Sequence, residues 1–151
     1  MFGRNVLIGA ISIISTTIGV ANACDCWGGG DPETVIAKTD IIFLGTAVSA
    51  EMLPAEQSSG PIWYNGVARL SVVRAVKGTV DGGELEAYFL GGGSSCDLPV
   101  SVGVERFYFL VSREKKNFHS LCHYPEDFWQ KRETYFDQFE QDFGVAFDEL
   151  R

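Results

Sequence analysis

Four cysteines and two histidines carry the most distinctive chemistry in this sequence, and their spacing restricts it. Cys24 and Cys26 are one residue apart, Cys96 and Cys122 follow far downstream, and His119 and His123 bracket Cys122. Residues i and i+2 of an extended segment lie about 6.6 Å apart with their Cβ atoms pointing the same way, outside favoured disulfide geometry. Cys24 and Cys26 therefore each need a distant partner, and both ways of pairing them with Cys96 and Cys122 stay open. Each link closes a loop of about 70 to 100 residues, worth up to ~4–5 kcal/mol in the chain-entropy description. The positional consequence is larger. A chain that starts at Cys24 is stapled at two places, so its α-amine and the Cys24 carbonyl are fixed where a chain end normally frays. A protein-held metal is the weaker reading: His119, Cys122 and His123 are ligand types, but zinc sites bring paired ligands from two places. Cys24 and Cys26 would have to complete that set.

No other constellation reads as catalytic, so the sequence points away from an enzyme. Gly91-Gly92-Gly93 lacks the lysine and following helix of a phosphate loop. Gly28-Gly29-Gly30 follows no strand, which excludes a dinucleotide fingerprint. No serine sits in a nucleophile elbow. A cysteine nucleophile needs a free thiol beside a histidine, and Cys122 and His123, as neighbours in a strand, point to opposite faces. No cofactor is implied.

The start of the chain sets the compartment. Arg4 is the only charge before Asp25, Val6 to Val20 is almost wholly apolar, and Ala21-Asn22-Ala23 follows. That order is a secretory signal peptide over residues 1–23. The apolar stretch falls short of the ~20 residues of a spanning helix, and no second long apolar run exists. The mature domain, 24–151, then begins Cys24-Asp25-Cys26 and is secreted or periplasmic, where disulfides persist. Lipid attachment at Cys24 is a minor alternative, because Asn22 suits ordinary cleavage better than a lipidation signal. Across 151 residues, 12 Lys+Arg face 20 Asp+Glu, a net charge of −8. Such a surface repels nucleic-acid phosphates and anionic membranes. A 46% hydrophobic content supports one packed domain.

The elements that position these cysteines are mostly strands. Asp31-Pro32-Glu33 predicts a helix start, with Asp31 as cap and a short helix over 34–38. Residues 41–48 are β-branched and aromatic, a buried strand. Residues 54–61 read as a surface loop. A long strand over 63–76 ends in turn signals at Lys77-Gly78 and Asp81-Gly82-Gly83. A strand over 84–90 places Leu85, Ala87 and Phe89 on one face. Gly91 to Ser95 is a loop leading to Cys96. Strands follow over 105–111 and 118–122. From Pro125 the period becomes helical: Phe128, Trp129, Arg132, Tyr135, Phe136, Phe139, Phe143 and Phe147 predict one amphipathic stripe packed on the sheet. The sum is an all-β, OB-like five-stranded barrel with a short N-terminal helix and a C-terminal amphipathic helix.

The ordered set of motifs resembles the tissue inhibitors of metalloproteinases and the wider netrin-like modules. The residues that carry the resemblance are Cys24-x-Cys26 at the mature start, Val35-Ile36-Ala37-Lys38 with Ile41 to Gly45, and Val76-Lys77-Gly78. Ser94-Ser95-Cys96, Phe107 to Val111, and Leu121-Cys122 with the aromatic helix complete the set, which covers about residues 24–139. The resemblance implies a netrin-like OB barrel and the pairing Cys24–Cys96 and Cys26–Cys122. It also implies that the amine and carbonyl of Cys24 chelate the zinc of a target protease, which keeps an open coordination position. Asp25, Cys26, Trp27, Ser94 and Ser95 become contact residues, and the partner a zinc metalloproteinase or another extracytoplasmic protein. Three features differ from the family: no cysteine stands near Ala37, no second disulfide-bonded subdomain follows, and Asp25 takes the position that enters the protease specificity pocket. Trp27 followed by three glycines also replaces a stiffer, proline-rich stretch.

Overall fold

The computed structural model describes residues 31–54, 64–91, 98, 100–119, 124–125 and 127–150. Helix α1 spans Pro32–Lys38. Asp31 caps it: its carboxylate accepts the Thr34 N–H at 2.9 Å and the Thr34 hydroxyl at 3.0 Å. Pro32 takes the first turn, where its missing N–H costs nothing. The helix stops at Thr39, whose hydroxyl donates to the Val35 carbonyl at 2.8 Å. Lys77 Nζ donates to the Ile36 carbonyl at 2.7 Å, a cation at the negative end of the helix.

Five strands follow: β1 (Ile41–Met52), β2 (Gly66–Lys77), β3 (Glu84–Phe89), β4 (Glu105–Arg113) and β5 (Lys116–His119). They close into a barrel in the order β1-β2-β3-β5-β4, an all-β OB-like fold. The β3–β5 pairing is parallel and the other four are antiparallel. β1 pairs β2 along nearly its whole length but β4 only from Ile41↔Leu110 to Thr46↔Glu105. Three register shifts against β2 let β1 curve between its two partners. Gly45 sits at one of them, where a Cβ would meet the Ser71 carbonyl oxygen and the Phe43 ring.

The barrel has two apolar layers. Phe43, Ala47, Ala68, Leu70, Ala87, Phe89, Tyr108 and Leu110 fill the interior. Ile42, Leu44, Phe107 and Phe109 belong to a second cluster, outside the β1–β4 wall and under the helices. Both faces of β4 are therefore buried, which is why residues 107–111 read as one unbroken apolar run.

Helix α2 spans Arg132–Phe143 and buries Tyr135, Phe136 and Phe139 against that wall. The continuous helical stripe expected from Phe128 to Phe147 is shorter at both ends. Residues 127–130 form a turn in which the Asp127 carbonyl accepts from both Gln130 and Lys131. Trp129 is 54% exposed and leaves the stripe. Gly144, at φ 68°, closes the helix in the left-handed conformation, and Val145 N–H donates back to the Phe139 carbonyl. Phe128 and Phe147 are nevertheless fully buried beside Phe107, delivered by the turn and by the tail after the helix. The strand expected over 63–76 runs Gly66–Lys77, with residue 63 outside the described residues. The strand expected over 118–122 runs Lys116–His119, and Cys122 lies outside the described residues. No described helix is long and apolar enough to cross a membrane.

Candidate functional site

The expected site residues fall in three segments. Cys24, Asp25, Cys26 and Trp27 precede Asp31; Ser94, Ser95 and Cys96 lie between Gly91 and Leu98; Cys122 lies between His119 and Tyr124. All eight, with the signal segment 1–23 and His123, are outside the described residues. The described residues that border the three segments are informative, because the fold brings them together.

Gly91 is anchored by Asn65. The Asn65 side chain accepts the Gly91 N–H at 2.8 Å, and its amide donates to the Gly91 carbonyl. One side-chain amide thus serves Gly91 as a neighbouring strand would. Leu53 N–H donates to the Asn65 carbonyl at 2.7 Å, so the base of the β1–β2 connection holds the point where the Cys96 segment leaves. Two residues earlier, Phe89 pairs with His119, the last residue of β5. β3 and β5, which precede the Cys96 and Cys122 segments in sequence, therefore end side by side as adjacent parallel strands.

His119 is fully buried. Its ring centroid lies 5.2 Å from Tyr108 and 6.3 Å from Tyr124. The Arg106 guanidinium sits 5.9 Å from the Tyr108 ring centroid and 5.2 Å from that of Tyr124, a cation over two electron-rich faces. Tyr124 also packs edge-on against Phe109 at 5.8 Å, within the cluster that buries Leu98. That links both ends of the 120–123 segment to the far end of the 92–97 segment.

Asp31 closes the set. Burial pushes the Tyr135 phenol well above its ordinary value, with further increments from Asp127, Asp31 and Tyr124. Asp31 caps the helix whose Val35 and Ile36 lie in the same buried cluster as Tyr124 and Tyr135. The Thr34 N–H and hydroxyl hold the Asp31 carboxyl below the usual carboxylate range. Lys131 Nζ lies 2.6 Å from Asp127 and contributes a smaller lowering at Asp31.

Among the described residues no group of three or more His, Cys, Asp or Glu is placed to hold a metal ion. Asn65, Arg106 and Tyr124 were not among the residues the sequence singled out. Asn65 carries no motif, and the stacking of Arg106 is a tertiary fact. No protein-family model matches the chain, and no curated protein does, so the barrel, the cysteine spacing and the geometry at these segment ends carry the functional argument.

Proposed function

We propose that the mature chain is an exported inhibitor of zinc metalloproteinases that presents the Cys24 amine and carbonyl to the protease zinc. The observation that carries this reading is the gathering of Asp31, Gly91, Leu98, His119 and Tyr124. These residues border every cysteine-bearing segment: Gly91 lies just past Phe89, which pairs with His119; His119 meets the Tyr124 ring; and Leu98 and Tyr124 share one cluster with Val35 and Ile36 of the helix that Asp31 caps. Such an arrangement supports a doubly stapled N-terminus with Cys24 tied to Cys96 and Cys26 to Cys122. A zinc protease offers an open coordination position, and a pre-ordered chain end fills it with little further entropy loss. Asp25, Trp27, Ser94 and Ser95 would form the rim. The reading places the protein outside the cytoplasm, secreted or periplasmic.

Asp25 favours a second reading, a non-inhibitory extracytoplasmic module that uses the same barrel to bind another protein. A carboxylate driven into an apolar specificity pocket costs several kcal/mol. The deciding experiment is inhibition of a panel of zinc metalloproteinases by protein cleaved to begin at Cys24. Inhibition that vanishes when one Ala precedes Cys24, and tightens in Asp25→Leu, is the expected result. An Ala-extended form as potent as the parent rules out chelation by the amine. Inactivity of the authentic form across the panel supports the module.

A further inference from the structure

The outer surface of the β1–β2–β3 side carries a second feature, independent of the cysteines. Two cross-strand rows lie side by side there. In one, Glu51 pairs with Val67, Val67 with Tyr88, and Tyr88 with Phe118, crossing four strands. In the other, Ser49 pairs with Arg69 and Arg69 with Glu86. Between the rows is an open groove of about 220 Å³ lined by Ser49, Glu51, Val67, Arg69 and Glu86.

At the end of the first row the surface turns aromatic. Tyr64 and Phe118 have ring centroids 4.6 Å apart, and Phe118 and Tyr88 5.9 Å, each pair tilted by about 40°. All three rings are half-buried, so they form a firm ridge that still meets solvent. Lys116 Nζ sits 4.9 Å from the Tyr88 centroid. An aromatic ridge beside a groove of hydrogen-bonding side chains has one face for apolar C–H surface and another for hydroxyls. OB barrels use this side, strands 2 and 3 with the β1–β2 connection, for oligomeric ligands.

The charges select among such ligands. Arg69 stands 3.9 Å from Glu84 and opposite Glu86 in register, and Glu51 lies across Val67. The carboxylates oppose phosphorylated or sulfated chains, as does the net charge of −8. Arg69 and Lys116 oppose a strongly cationic segment. A neutral polyhydroxyl chain suits mixed donors and acceptors of both signs. The groove is smaller than the roughly 300–1,000 Å³ of a pocket that encloses a drug-sized molecule, which suits one ring-sized unit of a longer chain lying across the strands.

We infer that this face is a binding groove for a neutral oligosaccharide, with one sugar ring against the Tyr88–Phe118 ridge and its hydroxyls bonded by Glu86, Arg69 and Ser49. The test uses the mature full-length protein and neutral hexasaccharides of glucose, xylose and N-acetylglucosamine, with a heparin oligosaccharide and a lysine-rich peptide as comparators. Isothermal titration gives affinity, and amide chemical shifts give location. The expected result is that at least one neutral chain binds, with shifts centred on Val67, Glu86 and Tyr88. Tyr88→Ala and Glu86→Gln should each weaken it at least about tenfold, or 1.4 kcal/mol, with the circular dichroism of the barrel unchanged. Because Tyr88 also supports its neighbours, the exposed Glu86→Gln variant keeps the test independent of folding. No neutral binding at about 10 mM sugar, weaker than any useful affinity, overturns the inference. So does neutral binding that neither substitution alters, or tighter binding of the peptide or heparin at these residues.

Discussion

The two walls of the barrel share one interior and differ in what lies outside them. Outside the β1–β4 wall, Ile42, Leu44, Phe107 and Phe109 are 0–7% exposed beneath α1, α2 and the tail. Outside the β2–β3 wall, Val67 and Tyr88 are half-buried, while Arg69, Glu84 and Glu86 face solvent. The covered wall is read in sequence as the unbroken Phe107 to Val111 run. The bare wall alternates, with Ala68 and Leu70 turned in and Val67 and Arg69 turned out. The difference separates labour: the covered wall supplies apolar burial, and the bare wall is free to carry polar groups in fixed register.

The largest expected effect tests that separation directly. Phe107 touches Phe128, Phe136, Phe139 and Phe147. Phe107→Ala should cost about 3–5 kcal/mol, through lost burial and an unfilled cavity. Val67→Ala, on the bare wall, should cost less than about 1 kcal/mol. Urea denaturation of both variants measures the contrast, and similar losses would show that the helix layer does not dominate stability.

A second substitution attacks the junction of the walls. Gly45 sits where β1, paired with both β2 and β4, shifts register against β2, and a side chain there collides with the Ser71 backbone. Gly45→Val should destabilise by about 1–3 kcal/mol or more, the range for forced overpacking. A denaturation midpoint equal to the parent's would mean that the β1–β2 ladder can open at this point without penalty.

Much of this contrast was legible in the sequence, for physical reasons that differ by element. The Asp31 cap, the turns at Gly78 and Gly82 and the strand runs depend on local preferences, and they lie where the residue types put them apart from the ends of β2 and β5. The helical period past Pro125 misled because Phe128 and Phe147 keep the spacing of a helix while lying outside it. The burial that selected those phenylalanines is tertiary, and the Asp127 turn and Gly144 set the boundaries. The groove was not legible, since it depends on which residues of β1, β2 and β3 come opposite one another. The expected cysteine site was legible only as types and spacing, and the described residues add the meeting of its borders.

A smaller effect concerns what keeps the covered wall covered. Arg74, on β2, donates to the Ala146 carbonyl at 2.8 Å, meets Glu149 at 2.7 Å and lies 4.9 Å from the Phe147 centroid. These contacts clasp the tail after α2 across the edge of the aromatic cluster. Both charged side chains are close to half exposed, so screening keeps the ion pair weak. Arg74→Met should cost about 1 kcal/mol, mainly the hydrogen bond and the ring contact. Hydrogen exchange should quicken first at Phe147 and Leu150. Unchanged exchange there would mean that the aromatic packing alone holds the tail.

The smallest effect at neutral pH grows with alkalinity. Among the described residues the buried Tyr135 hydroxyl has no hydrogen-bond partner. Burial raises the phenols of Tyr108 and Tyr135 above the ordinary value of 10.0. Below that value both are protonated whether the chain is folded or not, and they add no pH dependence. Above it the unfolded chain ionises while the folded chain resists, so stability falls as pH rises, by up to about 1.4 kcal/mol per unit for each group. Tyr135→Phe removes one of these two contributions and one unsatisfied hydroxyl. It should therefore match or exceed the parent by up to about 1 kcal/mol near neutrality. The advantage should widen above about pH 10, while the Tyr108 contribution persists. Denaturant midpoints of the two proteins across that range measure the difference. Curves that stay parallel would show that the Tyr135 hydroxyl reaches water or a partner when the protein is folded.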